Sequence, residues 1–425
     1  MASSLASFLL PLLLTVAASA QQIGTTTPER HPPLTTYKCS VAGGCQALNT
    51  SVVIDSSTRW LHSISTPSQG CNVGSAPCDT AEACAANCAL EGVDYSLQGI
   101  QTTGDALKLN QWRQDNTTGK WQTVSPRTYL LSPTGDTYEN ITLLNAELTF
   151  DVDLSNLPCG MNGALYLSEM ELDGGITASK GLNKAGAPYG TGYCDAQCPS
   201  LPFINGAANT AKLGACCNEM DIWEANALAT AYTPHPCMAE RIRTCDNDVD
   251  CGQPKGYCDK WGCSFNAYQQ GYHDFYGRGK QVDTNKKFTV VTQFVSSNNR
   301  TDGKLVDIRR LYIQDGKVIQ NVQAKVGGGS VLADSVTDPY CNATATWTQE
   351  RGGIAHMGEA LARGMVLIFS LWADDGGYMT WLDSGNSGPC NATEGNPAEI
   401  VQHTPDASVT FSNIRWGEIG STFKA

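Results

Sequence analysis

Positive charge is scarce in this chain. Its 425 residues hold 28 Lys and Arg against 41 Asp and Glu, leaving a net charge of −13 and a pI near 4.9. Nucleic acids and anionic membranes are gripped through basic patches, so partners of both kinds are excluded. Histidine is scarcer still, at 6. "CDAQC" (Cys194 to Cys198) has metal-like spacing, but too few histidines remain to complete a zinc site. No apolar run long enough to span a bilayer occurs after residue 20. Long helices have little room, because 42 Gly and 19 Pro punctuate the chain.

What is present begins with residues 1–20, "MASSLASFLLPLLLTVAASA". The apolar run Phe8 to Val16 ends in Ala-Ser-Ala, which reads as a secretory signal peptide with an A-x-A cleavage site. Its basic n-region is missing apart from the amino terminus, and the run is too short for a membrane anchor. The 18 cysteines all follow it. An even count in a secreted chain argues for disulfides rather than metal. Sequons at Asn49, Asn116, Asn140, Asn299, Asn342 and Asn391 fit a secreted glycoprotein and are expected on surface loops. The expected location is extracellular.

Most apolar segments read as strands. Glu147 to Ser155 and Ala164 to Leu172 alternate apolar and polar residues. Lys287 to Val295, Leu305 to Gln314, Gly364 to Asp374 and Ser408 to Ile419 are rich in β-branched and aromatic residues. One helix stands out in "DTAEACAANCALEG", with Asp79 as N-cap and Gly92 as C-cap. Many strands with Gly- and Pro-rich turns predict an all-β fold, a sandwich or jelly roll. No linker and no internal repeat divides the chain, so residues 21–425 are expected to form a single domain, with long disulfide-stapled loops and no appended module.

The segment "CCNEMDIWEAN" sets Glu219, Asp221 and Glu224 among Met220, Ile222 and Trp223. Acidic surface runs rarely carry that much apolar bulk. On a strand, residues two apart share a face, so Glu219, Asp221 and Trp223 are expected to point one way. Glu224 lies an odd number of residues from Glu219 and would face the other way. A β-bulge between Asp221 and Glu224 would restore the facing. Full extension would place the two glutamates about 16 Å apart at Cα, so curvature and side-chain lean must shorten that. Two facing carboxylates suit glycoside hydrolysis, in which a retaining pair sits about 5–5.5 Å apart. The acid of the pair needs a raised pKa, and Asp221 is placed to support Glu219. A calcium loop would want more oxygen ligands, usually with Gly. A solvated acidic strand is the blander alternative.

Among 9 tryptophans, Trp60, Trp372 and Trp381 lie in polar surroundings. Each suits sugar stacking or core packing. His235 is fixed between prolines in "TPHPC"; by spacing alone it reads as structural.

Several stretches together, "FDVDLSNLPCGMNGALY", "YGTGYCDAQCP", "CCNEMDIWEAN", "TPHPC" and "MTWLDSG", resemble fungal glycoside hydrolase family 7. The likeness runs along nearly all of the chain after residue 20. It implies a curved, concanavalin-like jelly-roll sandwich with a long substrate cleft on its concave face, hydrolysing β-1,4-glucan with retention. It implies Glu219 as nucleophile, Glu224 as acid/base, Asp221 as the support of Glu219, and His235 near the leaving-group side. It further implies Trp60, Trp372 and Trp381 as sugar platforms, and Arg127, Asn162, Tyr166, Tyr193, Asp195 and Gln197 as cleft-lining residues. No cofactor and no metal is implied, and the expected partner is a β-1,4-glucan acted on by a monomer.

The same resemblance implies the pairings Cys39–Cys45, Cys71–Cys88, Cys78–Cys84, Cys159–Cys390, Cys194–Cys217, Cys198–Cys216, Cys237–Cys258, Cys245–Cys251 and Cys263–Cys341. Family members divide by loops. Between "FINGAANT" and "GACCNEMD", and again between "TWLDSGNSGPC" and "TEGNP", this chain is short where tunnel-forming cellobiohydrolases carry insertions. Gln269 stands where those enzymes typically have an arginine. All three point to the open cleft of an endoglucanase. A cellobiohydrolase, an enzyme preferring another β-1,4 backbone, and a non-catalytic glucan-binding sandwich are the rival readings.

Overall fold

Alternating apolar and polar residues become strands, each with one face in a core. The structure is a computed structural model that describes residues 22–424, so the expected leader, residues 1–20, lies outside the described residues. Twelve strands form one hydrogen-bonded path. In chain order they are β1 (Pro33–Ser40), β2 (Gly44–Ile54), β3 (Arg127–Leu131), β4 (Ala146–Asp153), β5 (Met161–Ser168) and β6 (Glu219–Ala225). Then come β7 (Thr230–His235), β8 (Phe288–Ser296), β9 (Leu305–Gln314), β10 (Lys317–Gln320), β11 (Val366–Ala373) and β12 (Ser408–Glu418).

Across the path the order is β7-β6-β5-β11-β3-β2-β1-β12-β4-β8-β9-β10. Neighbours are antiparallel except β1 and β12, where Tyr37 lies beside Arg415 in a parallel pair. The path folds over on itself. Trp223 of β6 meets Phe150 of β4 and Phe288 of β8 with ring centroids 6.0 and 5.9 Å apart. Phe369 of β11 meets Phe411 of β12 at 5.7 Å. Strands remote on the path thus pack face to face, as in a sandwich. This is the all-β, jelly-roll architecture expected, carrying a few short helices.

The layer running from β7 to β2 has its own second face. In β5, Met161, Leu165 and Leu167 enter the main core, whereas Ala164 and Tyr166 join a smaller cluster with Tyr129, Ile368, Met170 and Tyr193. Loop residues therefore cover part of this second face and leave the rest to a cleft.

The strand expected over Ala164 to Leu172 stops at Ser168. Glu169 turns inward instead, fully buried, and pairs with Arg363 at 2.6 Å and with the Asn218 amide at 2.7 Å. The helix is shorter than expected, Ala81–Asn87. Thr80, not Asp79, caps it, its hydroxyl accepting from the Ala83 N–H at 3.0 Å. It ends well before Gly92, because Cys88 is bridged to Cys71 and opens a strand paired with Leu61–Ser63. Tertiary pairing here overrides helix propensity.

All 18 cysteines are bridged in the nine pairs that the resemblance implied. The six sequon asparagines are exposed, but Asn49 lies in β2 and Asn342 in the helix Asp338–Thr344 rather than in loops. Among the described residues, no helix is long and apolar enough to cross a membrane.

Candidate active site

Strand β6 carries all three acids, and its register departs from regular pairing where the parity argument required. Asp221 lies opposite Thr233 and Glu224 opposite Ala231, so three steps on β6 match two on β7. The same irregularity shows against β5, where Leu165 faces Trp223 and Leu167 faces Met220. One extra residue turns Glu224 into the cleft with Glu219 and Asp221. It also turns Trp223 away. Strict alternation put Trp223 on the acids' face, but the bulge sends it, with Met220 and Ile222, into the main core. Arg310 of β9 pins the bulge from the other layer. Its guanidinium donates to the Ile222 carbonyl and lies 4.3 Å from the Tyr232 ring.

Glu219 is buried, and its Oε2 accepts the Ala196 N–H at 3.0 Å. Two disulfides, Cys194–Cys217 and Cys198–Cys216, tie the Ala196 loop to the residues just before β6. Burial, then the charges of Asp221 and Asp195, push the Glu219 carboxyl well up, while the His235 cation and the Ala196 N–H pull it back. Glu224 is half-buried. Its Oε1 accepts from the Asn162 amide at 3.0 Å, and the Asn162 Oδ1 accepts from the Ala225 N–H at 3.1 Å. Burial and the Asp221 charge raise Glu224 to about 8. It therefore holds a proton at neutral pH.

His235, opposite Glu219 in the ladder, is the cation of the group. Its Nδ1 donates to the Asp259 carbonyl at 2.8 Å, which leaves Nε2 facing Asp221 Oδ2 at 2.9 Å. Burial works against its charge, but the Asp221 bond, with the Asp221 and Glu219 charges, overrides this and lifts it to about 10. The site so combines an acid that holds its proton, a second glutamate beside Asp221 and a compensating imidazolium. That combination suits acid/base and nucleophilic work on one substrate.

The other expected residues surround this centre. Tyr166, Tyr193, Asp195, Gln197, Arg127, Trp372 and Trp381 all line a cavity of about 850 Å³ with the acids. Trp372 and Trp381 stack at 6.5 Å. Trp60, 53% exposed, lines a second cavity of about 690 Å³. Asp55, Ser57, Arg127 and Tyr193 border both cavities, so the two adjoin. Arg127 is held by Asp55 at 2.8 Å and lies 3.5 Å over the Tyr193 ring. Tyr193 in turn donates to Asp195 at 2.7 Å. Asn162 was expected to line the cleft but is fully buried, and reaches it only through Glu224. Gln269 also lines the cavity, and its amide donates to the Ser387 hydroxyl at 2.9 Å.

Sequence reasoning passed over Asp55, Asp259, Lys260 and Trp261. The signals were slight: an acid just after a strand in "VVID", and an acid before Gly in "CDKWGC".

The model of glycosyl hydrolase family 7 matches residues 23–423. A probable endo-β-1,4-glucanase celB of Aspergillus terreus is 55% identical over 425 residues, covering 99% of this chain and 97% of that protein. The native structure of the endocellulase EGI of Humicola insolens superposes with a TM-score of 0.88 at 45% identity, over 95% of this chain and 100% of that one. A family 7 cellobiohydrolase from Daphnia pulex superposes with a TM-score of 0.87 at 37% identity, with the same coverage.

Proposed function

The chain belongs to glycosyl hydrolase family 7, and from that membership we propose how its cleft works. The protein is an endo-β-1,4-glucanase, a glycoside hydrolase that cuts within β-1,4-glucan chains. The observation that carries the mechanism is the bulge of β6, which brings Glu219 and Glu224 to one cleft while leaving their surroundings different. Glu219 attacks the anomeric carbon, and Glu224 protonates the departing glycosidic oxygen. The resulting glycosyl ester on Glu219 is hydrolysed by a water whose proton returns to Glu224, so configuration is retained. Asp221, held by His235, sits between the acids and keeps the nucleophile oriented. Trp60, Trp372 and Trp381 offer flat faces to successive glucosyl units.

The relatives favour internal cleavage: endoglucanases stand at higher identity than the cellobiohydrolase. Residues 1–20 direct the chain to secretion and are removed, residues 21–425 act as one catalytic unit and as a monomer, and the six sequons accept glycans outside the cell. The test is viscosity loss against reducing-end release on soluble carboxymethyl cellulose, for wild type and Glu219→Gln. A fast viscosity drop with few new ends, absent in the variant, is expected. Steady cellobiose with little viscosity loss would overturn internal cleavage, and turnover by the variant would remove Glu219 from its role.

A further inference from the structure

Trp261 is 58% exposed, yet it lines the same cavity as Glu219, Glu224 and His235. It is mounted on a rigid turn. Cys258 and Cys263, on either side of it, are bridged to Cys237 and Cys341. Asp259 is fully buried and locks the turn with both carboxylate oxygens. Oδ1 accepts the Gly262 N–H at 3.0 Å, and Oδ2 accepts the Thr348 hydroxyl at 2.6 Å. Gly262 has φ +66°, and a Cβ there would come within 2.4 Å of Thr233 and 2.7 Å of the His235 ring. The turn therefore rests directly on the β7 residues that border the acids. Gln197 also holds it, its amide donating to the Lys260 carbonyl at 2.8 Å.

A second tryptophan braces the first. Trp347, half-buried on the short helix Thr346–Glu350, meets Trp261 edge-on with centroids 5.4 Å apart at 61°. The rings are not stacked face to face, and Trp261 keeps 58% of its surface exposed. Rigid aromatic surface loses little conformational entropy when a ligand covers it.

We propose that Trp261, braced by Trp347, is a further sugar-stacking platform at the His235 end of the cleft, away from Trp60. Its ligand is the apolar C–H face of a glucosyl unit in the same β-1,4-glucan chain that the acids cleave. Trp261 lines the same cavity as the acids and His235, which commits it to that chain rather than to a separate molecule. The inference rests on the glucanase reading given above.

The test uses the full chain carrying Glu219→Gln, with and without Trp261→Ala, in affinity electrophoresis through hydroxyethylcellulose. The added substitution is expected to weaken polymer binding about tenfold, and Trp261→Phe to recover most of it. Trp121, exposed on the hairpin Trp112–Gln114 and Trp121–Thr123, lines neither cavity and serves as control through Trp121→Ala. In the otherwise wild-type enzyme, Trp261→Ala should lower kcat/KM for the polymer, relative to that for an aryl cellobioside, mainly through KM. Polymer binding unchanged by Trp261→Ala, or weakened as much by Trp121→Ala, overturns the platform. A wild type that cleaves no glucan while the binding difference persists would overturn the glucanase reading and leave the platform standing.

Discussion

A carboxylic acid donates a proton only while it holds one. Glu224 does so below about 8, where burial and the Asp221 charge have placed it, so activity should fall as pH rises through that value. The acid limb belongs to Glu219, which must lose its proton to attack. His235 acts on both limbs with one sign, because its cation lowers both carboxyls. His235→Asn removes that cation and should move both limbs of the kcat/KM profile to higher pH. A profile that only shrinks, without displacement, would make His235 a spacer. At this scale the sequence was informative where type and spacing define chemistry, as for the three acids. It was silent where a turn decides. The acid before Gly in "CDKWGC" is too slight a signal to announce that Asp259 is buried or that Trp261 is presented to the cleft, since both follow from bonds to Thr348 and Gly262.

The bulge of β6 is an element-scale device, and its existence was legible from parity once the two glutamates were read as a facing pair. Two acids an odd number of residues apart cannot share a face of a regular strand. The fate of Trp223 was not legible, because the inserted residue reassigns every position after it. Nor was the pin. Arg310 lies on β9, in the other layer, and only the folding-over of the sheet brings it to the Ile222 carbonyl. Arg310→Met should therefore cost about 1–3 kcal/mol of stability, the range for an orphaned buried carbonyl and a lost cation–π contact. It should also lower kcat more than it raises KM, because the bulge positions Glu224. Urea unfolding with steady-state kinetics checks both, and a kcat within twofold of wild type would detach Arg310 from the site. The helix before Cys88 carries a related lesson: its sequence pattern ran on to Gly92, but the bridge to Cys71 and the pairing with Leu61–Ser63 ended it.

At the scale of the whole molecule, the fold class was readable from strand number and turn residues. The order of strands was not, because alternation says which face is buried and nothing about neighbours. The disulfides act at this scale in unequal measure. Cys159–Cys390 closes 231 residues, whereas Cys39–Cys45 closes 6. By loop entropy, removing the first pair should cost about 5 kcal/mol and the second about 2 kcal/mol. Paired Cys→Ser variants compared by urea unfolding test the difference, and equal losses would contradict the loop-entropy account. The position of β12 has a consequence for the making of the protein. The most C-terminal of the twelve strands is not at an edge but between β1 and β4, parallel to the most N-terminal one. As the chain emerges from a ribosome, β1 and β4 each expose an unpaired edge until residue 418 has appeared. The nascent sheet waits open for most of its synthesis, a long interval in which something other than that sheet pairing must keep those edges from other chains.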